Sequence, residues 1–211
     1  MWDFDFCNFG KKLKMYYLVV DLEMTGPKPG YHDIIEIGAV LLNEEWHKIS
    51  TFGSLIYPQD AETMTTSAEA IHGISIDDLE DAPMLGEVLD DFEIWIRKSL
   101  RRDDFANLSD VMVCGQGILH DLNFLQYAYE EENKQWPFSK KVLDLISISY
   151  FGFTVLSNNG VSVPKTHGLN AVAGYFGLSR SETEHDAVED AVLTAACFQK
   201  FHELFLKLKI A

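Results

Sequence analysis

Two apolar periods divide this chain. Residues 16–22 (Tyr-Tyr-Leu-Val-Val-Asp-Leu) form a β-rich, largely apolar run that predicts a central strand. Residues 24–30 carry Gly and Pro and read as a loop. Residues 34–42 and 46–56 predict two further strands, with Asn43, Glu44 and Glu45 as the hairpin turn between them. From residue 84 the period changes. Leu85, Val88, Leu89, Phe92, Trp95, Ile96 and Leu100 repeat at helical spacing, predicting a helix over 84–100. A short buried strand follows at 110–114, then helices at 120–130, 142–150, 167–176 and 187–208. The last helix is the clearest, with Val188, Ala191, Val192, Ala195, Phe198, His202 and Phe205 along one stripe. Strands first and helices afterwards, without a repeat or linker, predict one α/β domain with helices packed on a mixed sheet.

Composition narrows this picture. The 211 residues are 47% hydrophobic and 24% charged, the balance of a globular domain with one sizeable core. No apolar run reaches the ~18–20 residues that span a bilayer, so no membrane association is expected. Residues 1–14 lack the apolar segment of a secretory signal. Cys7, Cys114 and Cys197 are odd in number and widely spaced, forming no disulfide framework or metal-ligand cluster. Together these lead to a cytoplasmic expectation. The net charge of −16 argues against a protein that coats long nucleic acid through a basic surface. It leaves room for an enzyme that grips a strand end, where carboxylate-held metal ions supply positive charge locally.

Asp21 and Glu23 lie two apart at the end of the first strand, so both carboxylates face one side, ~6.5–7 Å apart along the chain, while Leu18, Val20 and Leu22 face the other. Such a pair suits hard divalent cations. It means little alone, because Asp91 and Glu93 repeat the spacing inside a helical pattern, where they should be a solvated pair. His185 and Asp190 flank the start of the last helix, but His72 and Asp77 repeat that spacing too. Asp190 falls off the apolar stripe and need not be buried. Asp121 follows the strand at 110–114 and by itself reads as a helix cap, as does Asp144.

Order and context make these residues informative. Val20-Asp21-Leu22-Glu23-Met24-Thr25-Gly26, then Asp121-Leu-Asn-Phe-Leu125, then His185-Asp-Ala187-Val-Glu-Asp190-Ala together resemble the DEDDh exonucleases, the superfamily of the polymerase III epsilon subunit, ribonuclease T and oligoribonuclease. Asp33-Ile-Ile-Glu-Ile-Gly38 is similar to that superfamily's second strand, Ile71-His-Gly-Ile74 to its loop after the third, and residues 168–178 to the helix before the final motif. The resemblance runs from about residue 16 to the C-terminus. Two departures pull apart: Gly115-Gln-Gly-Ile-Leu-His-Asp121 is closer to oligoribonuclease, and the Ile71–Ile74 motif is closer to epsilon.

The resemblance implies a ribonuclease H-like mixed five-stranded sheet flanked by helices, with an exonuclease domain at 15–211 behind an extension at 1–14. It implies a metal-dependent 3′-5′ exonuclease that releases 5′-mononucleotides from single-stranded 3′ ends, with DNA favoured over RNA. The alternatives are an oligoribonuclease-like exoribonuclease and a catalytically silent binding module of the same fold. Asp21, Glu23, Asp121 and Asp190 would hold two ions, Mg²⁺ or Mn²⁺, with His185 as general base. Leu22, Met24, Thr25, Gly26 and His72 would contact substrate, the backbone of 24–26 holding the terminal 3′-hydroxyl. Folds of this kind often pair, which leaves a homodimer open. The leader, with Trp2, Phe4 and Phe6 alternating with Asp3 and Asp5, reads as an added edge strand, a protein-partner segment or a disordered extension.

Overall fold

A computed structural model describes residues 14–180 and 186–207. The readings of the leader and of His185 therefore lie outside the described residues. Five strands make one mixed sheet: β1 (Tyr16–Met24), β2 (Ile34–Leu42), β3 (Lys48–Leu55), β4 (Val111–Gly115) and β5 (Val142–Asp144). Their order is β3-β2-β1-β4-β5, with β1, β2 and β3 antiparallel and β4 and β5 parallel to β1. The helices are α1 (Thr66–His72), α2 (Leu85–Ser99), α3 (Leu119–Glu131), α4 (Leu145–Asn158), α5 (Leu169–Tyr175) and α6 (Ala187–Lys207).

Alternation along β1 builds a core on each face of the sheet. Leu18, Val20 and Leu22 pack with Val88, Phe92 and Ile96 of α2 and Phe124 and Tyr129 of α3. Val19 packs on the other face with Phe153, Val172, Ala191, Phe198 and Phe201 from α4, α5 and α6. Asp21 and Glu23 continue this second face. Buried on both sides, β2 is apolar almost throughout, and Glu36 is its only charged residue.

Several readings change. Residues 142–150 form strand β5 and then the start of α4, because Val142–Asp144 pair in parallel with Val113–Gly115. The one local signal for that break is Asp144, read above as a helix cap. Asp144 caps α4 as expected, its Oδ1 accepting from the Ile146 N–H at 3.0 Å, and it also takes the Gly117 N–H at 2.8 Å. Trp46 is not strand: it sits in the turn at φ 64° and stacks on Tyr17, ring centroids 3.8 Å apart. Asn43 Oδ1 closes that turn by accepting from the N–H groups of Glu45 and His47. Ile71 and His72 end helix α1 rather than forming a loop; Thr65 caps its start and Gly73, at φ 71°, ends it. Glu93 is not solvated like its neighbour Asp91, since Arg97 one turn later pairs with it at 2.6 Å.

Candidate active site

The sheet's strand order brings the carboxylates together. Pairing between β1 and β4 covers only Tyr16–Val19, so the later part of β1 is open on that edge. The start of α3 fills the gap: the Leu22 N–H donates to Asp121 Oδ1 at 3.2 Å. Asp121 thus takes a strand amide rather than serving as a helix cap. On the other edge Glu23 faces Glu36 across the antiparallel pair, and Asp21 faces Gly38. Like charges so placed repel.

Helix α6 closes the site from above because β2 and β3 give it room. Gly38 and Gly53 are paired neighbours. A Cβ on Gly38 would lie 2.1 Å from the carbonyl carbon and oxygen of Ala187, and one on Gly53 would lie 2.4 Å from Val188 Cγ2. The helix therefore starts directly on the sheet. Its first amide, Ala187 N–H, donates to Glu36 Oε2 at 3.1 Å, placing a carboxylate at the positive helix end. This close seat buries Asp190 to 3% exposure, although the apolar stripe alone did not require it. Asp190 is paired with Arg180, Nη2 to Oδ2 at 2.6 Å and Nε to Oδ1 at 2.5 Å.

Asp21, Glu23, Asp121, Asp190 and Arg180 line one cleft of about 570 Å³, together with Leu22, Met24, Gln116, His120 and Asn170. Burial pushes the Asp21 carboxyl well above its usual range, aided by the charges of Asp121, Asp190 and Glu23. Burial, then Glu36, Asp190 and Asp121, raises Glu23 to about 8. Burial raises Asp121 to about 7 despite the amides that favour its charged form. Glu36 also rises through burial, partly offset by the Ala187 amide. Crowded, desolvated oxygen donors of this kind, offset only in part by Arg180, are the donor chemistry that Mg²⁺ or Mn²⁺ satisfies. The residues fit such ions. Among the described residues, however, no group of three side chains is already gathered as an ion cage.

A second pocket of about 250 Å³ adjoins the first, sharing Leu22, Glu23, Met24 and His120 and adding Gly26, Thr65, Ile71 and His72. Four expected substrate contacts, Leu22, Met24, Gly26 and His72, thus lie around one cavity. Thr25 does not join them. It is fully buried; its N–H donates to Asp33 O, its carbonyl accepts from Thr65, and its hydroxyl bonds Thr63 and the Asp33 amide. Thr25 shapes this loop from inside. Gly26 is needed because the His32 ring lies where its Cβ would be, 2.3 Å away. His72 Nδ1 accepts from the Ile74 N–H at 3.0 Å, so a neutral ring carries its proton on Nε2.

Glu36, Gln116 and Arg180 are among the residues of the site that escaped sequence reasoning. Glu36 had a signal, a single carboxylate in a strand otherwise apolar from Ile34 to Leu42. Gln116 bridges the cleft by donating from Nε2 to His167 O at 2.7 Å, a contact between segments 51 residues apart. Arg180 lies in no periodic segment and had no local signal.

Comparison with known proteins follows the same outline. The RNase_T family model, described as an exonuclease, matches residues 18–198. The 3′-5′ exonuclease DinG of Staphylococcus epidermidis is 29% identical over 194 residues, covering 90% of this chain and 19% of that protein. DinG of Staphylococcus aureus strain MRSA252 is 27% identical over 192 residues, again covering 19% of the relative. The chain spans about a fifth of these relatives' length. The nuclease domain of 3′hExo, a DEDDh family member bound to rAMP, superposes with a TM-score of 0.70 at 19% identity, covering 95% of this chain and 98% of that one. The zinc-bound E. coli ExoI–ssDNA complex gives 0.72 at 16% identity, covering 92% and 42%. These two structural likenesses concern the fold.

Proposed function

The chain belongs to the exonuclease family across residues 18–198, and from that premise we propose that it hydrolyses single-stranded nucleic acid from the 3′ end, releasing 5′-mononucleotides. One observation carries this reading: buried carboxylates from β1, α3 and α6 converge on a cleft, with a nucleotide-sized pocket beside it. Divalent ions, Mg²⁺ or Mn²⁺, held by Asp21, Glu23, Asp121 and Asp190, would supply the charge that activates water and stabilises the leaving 3′ oxygen. Leu22, Met24, Gly26 and His72 receive the terminal nucleotide, and Thr25 holds their loop in place. His185 takes the proton of the attacking water, a task suited to an imidazole near neutral pH. Its position five residues before Asp190, ahead of the helix, supports this role.

The 3′-5′ polarity agrees with the activity named for the DinG relatives. Single-stranded DNA is the proposed first substrate, in keeping with the ssDNA held by E. coli ExoI. The test is hydrolysis of a 5′-labelled single-stranded DNA with Mn²⁺, beside an RNA of the same sequence. The expected result is a ladder shortening from the 3′ end. His185→Ala should lose roughly 10²–10⁴ in rate, and Asp21→Asn at least as much. Undiminished activity in either variant would sink the site assignment. Faster hydrolysis of the RNA would replace the proposed sugar preference.

A further inference from the structure

Arg180 is the only Lys or Arg among the described residues that line the cleft. Its guanidinium, with a side chain 11% exposed, meets Asp190, 4% exposed: Nη2 donates to Oδ2 at 2.6 Å, and Nε lies 2.5 Å from Oδ1. One of these is a charge-assisted hydrogen bond, Nη2 to Oδ2, and the other is a close charge contact, so the guanidinium lies against both carboxylate oxygens. Arg180 also partly offsets the upward pressure on Asp21 and Glu23. A cation already occupies one side of the carboxylate cluster, and both oxygens of Asp190 face it.

We propose that Arg180 is a resident counter-ion that competes with the divalent metal for Asp190. Without metal it holds the crowded carboxylates together. A metal that takes Asp190 must displace the guanidinium from at least one oxygen. Arg180 then remains in the cleft as a positive group facing the substrate's phosphates. This rests on the reading of the cluster as a divalent-metal site. It makes Arg180 a positioning residue that sets how tightly metal binds and how stable the empty site is. Removing its charge has two opposite consequences: the metal-free protein loses stability, because buried carboxylates are left uncompensated, and the metal gains affinity, because its competitor is gone. A purely structural anchor would give the first consequence without the second.

The experiment titrates Mn²⁺ into wild type, Arg180→Gln and Arg180→Lys at fixed pH and ionic strength. Free Mn²⁺ is read by electron paramagnetic resonance, and folding is checked by circular dichroism. Arg180→Gln should bind Mn²⁺ at least about tenfold more tightly and melt lower without metal. Arg180→Lys, which keeps the charge on a single nitrogen, should show a smaller gain. Affinity equal to or weaker than wild type in Arg180→Gln overturns the proposal. If that variant does not fold, unchanged affinity in Arg180→Lys does the same. Failure of the underlying metal reading looks different: neither wild type nor variants bind Mn²⁺, or Asp21→Asn binds as wild type does.

Discussion

Replacing Gly38 by alanine perturbs the seat of α6 without touching a charged group. The added methyl would lie 2.1 Å from the Ala187 carbonyl and 2.3 Å from the Val188 nitrogen, all backbone atoms. Carbon contacts settle near ~3.5–4.0 Å, so the helix start must lift by more than about 1 Å, since no side-chain rotation relieves the overlap. That movement stretches the 3.1 Å bond from the Ala187 amide to Glu36 and carries Asp190 away from Asp21. Overpacking of this kind costs about 1–3 kcal/mol, which for a chain of this size lowers Tm by ~2–4 °C per kcal/mol. Displacing a catalytic group by about 1 Å costs on the order of 10²-fold in rate. The expected outcome is a modest fall in Tm with a disproportionate fall in kcat/KM, read by thermal melting and hydrolysis of a labelled oligonucleotide. Gly174→Ala is the control: nothing lies within 4 Å of its Cβ position inside α5, so it should be neutral or stabilise by up to about 1 kcal/mol. Wild-type Tm and rate in Gly38→Ala would refute the account of how α6 is positioned.

The carboxylate cluster predicts a pH dependence of stability. Glu23 is raised from 4.5 to about 8, so between those values the folded protein retains a proton that the unfolded chain releases. Metal-free protein should therefore lose stability as pH rises through that window, by several kcal/mol in all. Melting in EDTA from pH 5 to 8 checks the sign, and Glu23→Gln should flatten the slope; a Tm that climbs with pH contradicts it. Mn²⁺ should raise Tm more at pH 8 than at pH 5, because protons and metal compete for the same oxygens. At Glu36 the two substitutions should separate: Glu36→Gln can still accept from the Ala187 amide and relieves repulsion with Glu23, so metal-free stability holds or rises. Glu36→Ala should lose about 1–2 kcal/mol, and equal melting of the two would show that the amide bond contributes little.

The acidity of the chain acquires a local meaning in this structure. Of the 33 acidic residues, several are spent on one buried cluster whose charge is balanced only in part by Arg180.

Much of the fold was legible because it follows from short-range periodicity. Alternation in β1 put Asp21 and Glu23 on one face and Leu18, Val20 and Leu22 on the other, and the helical spacing of α2 named its buried face. The ordered motifs also pointed to the family, since each is a local run of residues. Other features depend on partners distant in the chain. Residues 142–144 are strand only because β4 lies alongside, and Asp121 takes the Leu22 amide across 99 residues. Asp190 is buried because Gly38 and Gly53 let α6 descend onto the sheet. Arg180 belongs to the site only because the tertiary fold sets it against Asp190 in the cleft. Periodicity along a chain records which face of an element avoids water. It holds no information about which distant group will meet that face, and in this protein those meetings set the charge, burial and pairing of the site.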